Sequence, residues 1–520
     1  MNIVILGGGT AGWLAALFIA KNNPDHNVTT IASSQIGVLG AGEGVTGELM
    51  DVITGRYGDL GIDPQDFLKE TNAMPKYGIL HKGWTPEIQK SYFAPIDGTP
   101  TSLHIPDGVF TYVTATDPDN LHKTTFFGSL LDSDVSPISK ITNTTDISTY
   151  AFHIDARLTA KYLEKTALKS ANCSLIDSKV VDVILDNDTG LVSSLKLETG
   201  ENIAGDFFID SSGFSRVIMN KLEAKWVSYK KHLPVNAAIP FFLDYEENEK
   251  PKFYSVAHAQ SSGWYWEAGT TERKGAGYVY CDDFISKDQA HAEIEKTLGR
   301  KIEPLTHFKF NTGRLENVWI KNCLAIGLCG AFAEPLEATS IHATIKQLAQ
   351  FNFEFLKPTL DDTLNPAAIK FYNAKIARMY DDYKDFLVSH YLGGRKDSDF
   401  WQHITNGNTT TEFAEDLKEM CKTRVPTAYD FPGYSGAAGW QIWCHILVGT
   451  NQLTKHTAQK HLTKDMIKDA EYLLNELTHG IQKLKLTHFS IDEYLKVISQ
   501  LNNVPFIRWK GERSHIPNVY

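Results

Sequence analysis

The chain has 520 residues, more than one hydrophobic core usually serves, so two or more lobes are expected. It is 42% hydrophobic and 22% charged, as a soluble globular protein is, and its net charge of −11 argues against a nucleic-acid binder and against attraction to anionic lipid. No apolar run reaches the length of a bilayer span, and the first strand begins at Met1, leaving no room for a signal peptide. The six cysteines are scattered without a CxxC pair, so neither a zinc site nor a disulfide framework is indicated, and these features together point to a reducing, cytoplasmic setting.

Met1 to Leu6 is a short apolar run. Gly7-Gly8-Gly9-Thr10-Ala11-Gly12-Trp13 follows, and then an apolar stretch from Leu14 to Ala20 with helical spacing. That order predicts a buried parallel strand, a tight turn and a helix start. Gly7, Gly9 and Gly12 have the spacing of the dinucleotide fingerprint: the first permits the turn, the second lets backbone approach a pyrophosphate, and the third lets helix pack on strand. The phosphates would rest on the helix's free N–H groups, around Thr10 and Ala11. Asn27 to Ile31 reads as a second strand. An acid usually follows it to hold the ribose, but Ala32, Ser33 and Ser34 stand there, so hydroxyl or backbone contacts must substitute.

Gly37 to Gly44, containing Gly40, Gly42 and Glu43, is a second glycine-rich stretch, either a surface loop or a backbone strap along a cofactor. Lys76, after Pro75, reads by itself as a solvated lysine. The polar stretch Asn143-Thr144-Thr145-Asp146 reads as a loop. Four strands follow an amphipathic helix that begins near Arg157. The last ends in Asp210-Ser211-Ser212-Gly213, the kind of strand end where open α/β sheets bind ligands. Val235 to Tyr280 is alternating and aromatic, which predicts an antiparallel sheet inserted into the nucleotide domain, with Trp264 and Trp266 on one face.

Asn322 to Gly327 is another buried strand ending in glycine. Pro335-Leu336-Glu337-Ala338-Thr339-Ser340 then leads into a helix, with Thr339 or Ser340 suited to cap it. Such a helix start beside a cofactor is an anion site. Beyond Leu356 the pattern is mainly helical. Trp440 and Trp443 there form either a helix core or an aromatic wall that grips a flat substrate. The expected fold is α/β: a Rossmann-like domain with an inserted antiparallel sheet over residues 1–355, and a mainly helical lobe over 356–520 that contributes to the substrate pocket.

Taken together, these segments resemble the flavin-dependent halogenases of the tryptophan-halogenase type. The resemblance is carried by the Gly7 to Trp13 turn, Gly40 to Glu43, Asn72-Ala73 with Lys76, Phe152 to Ala156 and Asp210 to Phe214. It continues through Gly263 to Trp266, Gly277 to Tyr280, Phe332 to Glu337 and His390-Tyr391 up to Trp401. It implies a fold of the single-component flavin monooxygenase type. FAD would be bound by the glycine segments with Asp210, Gly213 and Gly327, and would arrive reduced from a separate flavin reductase. With O2 and a halide (chloride, bromide or iodide) the enzyme would make hypohalous acid for an electron-rich arene of phenol or indole type.

On this resemblance Lys76 is the delivery lysine, polarising the hypohalous oxygen as an ammonium or forming a haloamine when neutral; burial favours the neutral form. Glu337 is the carboxylate that stabilises the ring cation and takes its proton, and Thr339 with the Ser340 N–H is the halide pair. No metal, nucleic acid or membrane partner is implied, and a homo-oligomer is left open. The chain also departs from the family. Ser340 replaces a glycine and Ala338 a serine, Ala268-Gly269 stands where Ile-Pro usually ends the paired-tryptophan motif, and Gly44-Val45-Thr46-Gly47 replaces Ala-Thr-Ile-Pro. The altered tryptophan motif leaves a flavin-dependent aromatic hydroxylase on the same fold as the alternative, with a flavin-binding protein lacking activity as a third reading.

Overall fold

The computed structural model describes residues 1–37, 40, 43–102, 104–131, 133–141, 150–431 and 439–499, with Glu43 in backbone only. Gly42, the Glu43 side chain and the stretch 143–146 lie outside the described residues. The chain divides into two units interleaved in sequence. The first comprises residues 1–72, 154–230 and 310–381; the second comprises 73–153, 231–309 and 382–520. The boundary expected at residue 355 falls inside the first unit.

The first unit is built on a six-stranded sheet in the order Trp319–Ile320, Cys323–Ala325, Phe207–Asp210, Asn2–Leu6, Asn27–Ala32, Cys173–Asp177. All pairings are parallel except the edge hairpin 319–325. Ile3, Val4 and Ile5 are buried on both faces, as parallel strands are when helices cover them. The helix Thr10–Asn22 is buried from Gly12 to Ala20, so its apolar residues run all the way round rather than along one stripe. Trp319 packs edge-on against Phe207, Phe351 and Tyr372, and its backbone N–H donates to Asn373 Oδ1 at 2.9 Å.

The second unit carries a seven-stranded sheet in the order Phe308–Lys309, Ala237–Leu243, Lys274–Tyr280, Gly263–Gly269, Ser255–Gln260, Gly78–Lys82, Ser91–Pro95. It is antiparallel except where Ser255–Gln260 meets Gly78–Lys82. The aromatic segments expected as an antiparallel sheet are its centre. Phe241, Tyr265, Tyr278 and Tyr280 fill a core on one side. Trp266 lies over Gly277, where a Cβ would stand 2.0 Å from its ring, so only glycine fits. The Ala268-Gly269 departure is absorbed as a hairpin: the strand stays paired through Gly269 with Lys274, and Thr270 N donates to Arg273 O at 2.9 Å.

Helices Gly108–Thr116, Glu412–Met420 and Trp440–Gly449 supply the second unit's other core, with Phe110, Leu417, Cys444 and Leu447 buried together. Among the described residues no helix is long and apolar enough to cross a membrane.

His445 is buried in this helical core beside Phe110. Burial first, and the nearby His122 second, push its pKa down to about 3. Between that value and the ordinary 6.5 the unfolded chain binds a proton that the folded chain refuses. Stability is therefore full above pH 6.5 and falls as pH drops below it, by at most about 1.4 kcal/mol per pH unit for one histidine. Urea unfolding at pH 7.5 and pH 5 is expected to show a smaller loss in His445→Phe than in the native chain; equal losses would remove His445 from the acid sensitivity.

Candidate functional site

The glycine turn of the first unit is fixed by contacts that exclude side chains. Gly7 N donates to Ile31 O at 2.9 Å, and a Cβ on Gly7, whose φ is 122°, would stand 2.4 Å from Ser211 O. A Cβ on Gly12 would stand 2.0 Å from Gly7 O. Gly9 is different: nothing lies within 4 Å of its Cβ position, and as N-cap of Thr10–Asn22 it offers no side-chain acceptor to the helix's first N–H groups. Trp13 adds a buried indole N–H without a partner, 3.7 Å from where a Cβ on Gly8 would stand. Open space at Gly9 and uncapped amides at Thr10 and Ala11 fit the pyrophosphate of a dinucleotide.

Asp210 does not reach out to a ligand. It is fully buried. Its Oδ1 accepts from Ser212 N at 3.0 Å and from Ser212 Oγ at 2.6 Å, while Oδ2 accepts from Ile218 N at 2.8 Å and Met219 N at 3.0 Å. The carboxylate caps the helix Val217–Lys221 and so holds the turn containing Gly213, whose φ of 65° suits glycine and beside which the space is open. Gly40 is half-buried and outside any helix or strand.

Gly327, with φ 59°, is a close-approach glycine. A Cβ there would stand 2.8 Å from Ala11 Cβ and 3.8 Å from Thr344 Oγ1, so it lies between the start of the nucleotide helix and the helix Thr339–Gln350. That second helix follows a 3-10 turn, Pro335–Glu337, which carries the half-buried Glu337. The expected cap at Thr339 or Ser340 is not found. Ala338 is the N-cap, in the left-handed conformation at φ 55°, and both Thr339 and Ser340 are already inside the helix. The turn brings the chain round one residue early, and Ala338 has no side-chain acceptor, so the first-turn amides, Ser340 N–H included, stay uncapped.

The altered strap meets this helix: the Thr46 hydroxyl and His342 Nδ1 share a 2.8 Å hydrogen bond, and Lys346 Nζ donates to Glu48 at 2.9 Å. Burial holds His342 down at about 4, so the imidazole is neutral at pH 7. Thr46 and His342 were not singled out by the sequence. The only signal was that a threonine stood where the family has isoleucine.

In the second unit Lys76 ends the buried strand Met74–Lys76, paired with Ala151 across an antiparallel ladder, and is 3% exposed. It is not the solvated lysine its local sequence suggests. Two buried imidazoles have their pKa values lowered in part by Lys76. His153 bonds Gly269 O through Nδ1 at 2.9 Å and Ser255 Oγ through Nε2 at 2.8 Å; burial first and Lys76 second push its pKa down to about 3. His81 is pushed well down by burial, by His390 and by Lys76. The His81 ring stacks on Tyr92 at 4.7 Å and lies 5.2 Å from His390 and 5.8 Å from Trp84. His81 was missed because a histidine inside the apolar strand Gly78–Lys82 reads as core.

Trp443 is core packing, 1% exposed among Phe386, Phe413 and Phe431, so it does not form a substrate wall. Trp440 is half-buried, edge-on to Phe110 at 6.1 Å.

The model of the family described as tryptophan halogenase matches residues 2–465. The chain belongs to the tryptophan halogenase family. It is 30% identical over 503 residues to the 7-chloro-L-tryptophan 6-halogenase KtzR of Kutzneria sp. (strain 744), covering 90% of this chain and 94% of that one. It is 29% identical over 458 residues to the tryptophan 7-halogenase KtzQ of the same strain, covering 82% of each. Among solved structures it is similar to Tar14, a tryptophan C-6 flavin-dependent halogenase (chlorinase) from taromycin biosynthesis. The TM-score is 0.86 at 26% identity, over 96% of this chain and 99% of that one. Family membership makes the chain an enzyme of the flavin-dependent halogenase type.

The contrast between Gly9 and Gly12 yields a test. Gly12→Ala is expected to lower the thermal midpoint by several degrees, because its methyl meets backbone. Gly9→Ala is expected to leave the midpoint unchanged and to weaken FAD binding, read by flavin fluorescence. Equal effects of the two on unfolding would contradict the assignment.

Proposed function

We propose that this enzyme halogenates an electron-rich aromatic small molecule, of phenol or indole type, using reduced FAD from a separate reductase, O2 and a halide. The observation that carries the reading is the burial of Lys76 between neutral imidazoles, in a chain of this family. When bound, the flavin supplies from O2 the oxidising equivalents that turn halide into hypohalous acid. The residues of the chain do the rest. The uncapped amides at Thr10 and Ala11 hold pyrophosphate, and Thr339 with the Ser340 N–H holds the halide at the positive end of its helix.

Lys76 receives the hypohalous acid. As an ammonium it donates a hydrogen bond to the oxygen, which draws electrons from the halogen and makes hydroxide a better leaving group; as the neutral amine that burial favours, it takes the halogen as a haloamine and releases water. In the ammonium route the arene carbon bonds the halogen as the O–X bond breaks, and the hydroxide leaves as water with a proton from the Lys76 ammonium. Glu337 stabilises the ring cation and takes the proton that the carbon loses. Burial with few competing water molecules makes each of these interactions stronger than it would be in solvent. Neutral His81 and His153 add no second positive charge beside the lysine.

The test is incubation of the full chain with a flavin reductase, FAD, NADH, each halide in turn and a panel of phenols and indoles including tryptophan, read by mass spectrometry. Halide-dependent mass shifts are expected with the native chain and a loss of at least a hundredfold in Lys76→Ala, with flavin binding retained. Unchanged halogenation by Lys76→Ala would refute the assignment. NAD(P)H consumption with hydroxylated product and no halide dependence would favour the hydroxylase reading instead.

A further inference from the structure

Dinucleotide folds usually hold the adenosine ribose with an acid at the end of the second parallel strand. In this chain that strand, Asn27–Ala32, runs out into Ala32, Ser33 and Ser34, none of which carries a carboxylate. The next strand outward, Cys173–Asp177, is parallel to it, and Ala32 and Asp177 are paired at the same level of the sheet. Paired residues on neighbouring strands present their side chains on the same face, about 4.8 Å apart. Ala32 faces the glycine turn, since a Cβ on Gly8 would stand 2.6 Å from Ala32 Cβ. Asp177 therefore projects from the face that carries the turn, at the carboxyl end of the parallel strands where ligands of such sheets bind.

The Asp177 side chain is exposed and held in place. Its Oδ1 accepts the Ser34 amide at 2.8 Å. The Ser34 amide and hydroxyl also hold the carboxyl below the ordinary aspartate range, so it is charged at neutral pH. A carboxylate has about four lone-pair sites, so the bonds from Ser34 leave acceptors for hydroxyl groups. We infer that Asp177 is the ribose acid of this chain: from the edge strand it accepts hydrogen bonds from the adenosine ribose hydroxyls of the bound flavin dinucleotide, the task an acid at position 32 would perform from the second strand. This rests on the flavin reading above.

The experiment titrates the full chain with FAD and with the FAD analogue that lacks the adenosine 2′-hydroxyl, reading flavin fluorescence. The native chain is expected to prefer FAD over the analogue. Asp177→Asn is expected to bind FAD roughly tenfold more weakly and to lose that preference, with an unchanged thermal midpoint. Equal FAD affinity in the native chain and Asp177→Asn overturns the inference, and so does weaker binding that keeps the native preference, since that would mark a merely structural role. FAD that fails to bind the native chain overturns the flavin reading itself, and this inference with it.

Discussion

An α-helix that starts without a cap leaves backbone N–H groups in search of an acceptor, and the nucleotide helix and the helix after Glu337 both start this way. Elsewhere in the chain Asp63, Asp155, Ser286, Thr359, Ser398, Thr411, Thr454 and Thr463 each turn a side-chain oxygen onto the first amides of a helix. The helices Thr10–Asn22 and Thr339–Gln350 begin instead at Gly9 and Ala338, which offer none; Glu48–Ile53, Gly108–Thr116 and Trp440–Gly449 likewise start without a side-chain cap bond. Uncapped first-turn amides are where anions bind, and the proposed function places a pyrophosphate at the start of Thr10–Asn22 and a halide at the start of Thr339–Gln350. Gly327 lies between these two helices, so the spacing of the two helix starts is set by close packing at that glycine. The Thr46–His342 and Glu48–Lys346 bonds tie the strap to the second of them.

The second unit solves a different problem, which is to keep a lysine out of water. Burying an ammonium is costly unless its surroundings compensate, and additional positive charge nearby would raise that cost. The histidines around Lys76 are therefore held neutral by burial and by the lysine itself, and His153 is locked by two hydrogen bonds to Gly269 and Ser255. The altered end of the tryptophan motif takes part in this, because the Gly269 carbonyl is the acceptor for His153 Nδ1.

Much of this was legible in the residues. The Met1 to Trp13 segment, the parallel strands and the aromatic sheet appear where their periodicities place them, because each is governed by local burial that repeats along the chain. What could not be read was direction and long-range contact. Asp210 stands at a strand end as a ligand-binding acid would, but its carboxylate turns inward to cap Val217–Lys221. Thr339 has the chemistry of a cap, yet the left-handed Ala338 starts the helix one residue earlier, and no side chain announces that conformation. Trp443 has the spacing of either a wall or a core, and three phenylalanines from distant segments decide for the core. Asp177 is far in sequence from the strand whose missing acid it adjoins.

The central claim is that the uncapped start of Thr339–Gln350 is the halide site. Crystals soaked in bromide and measured at the bromine absorption edge test it directly. The account predicts an anomalous peak within hydrogen-bonding distance of the Ser340 N–H and against Thr339. A bromide found only elsewhere in the molecule, with that helix start occupied by water, would contradict it.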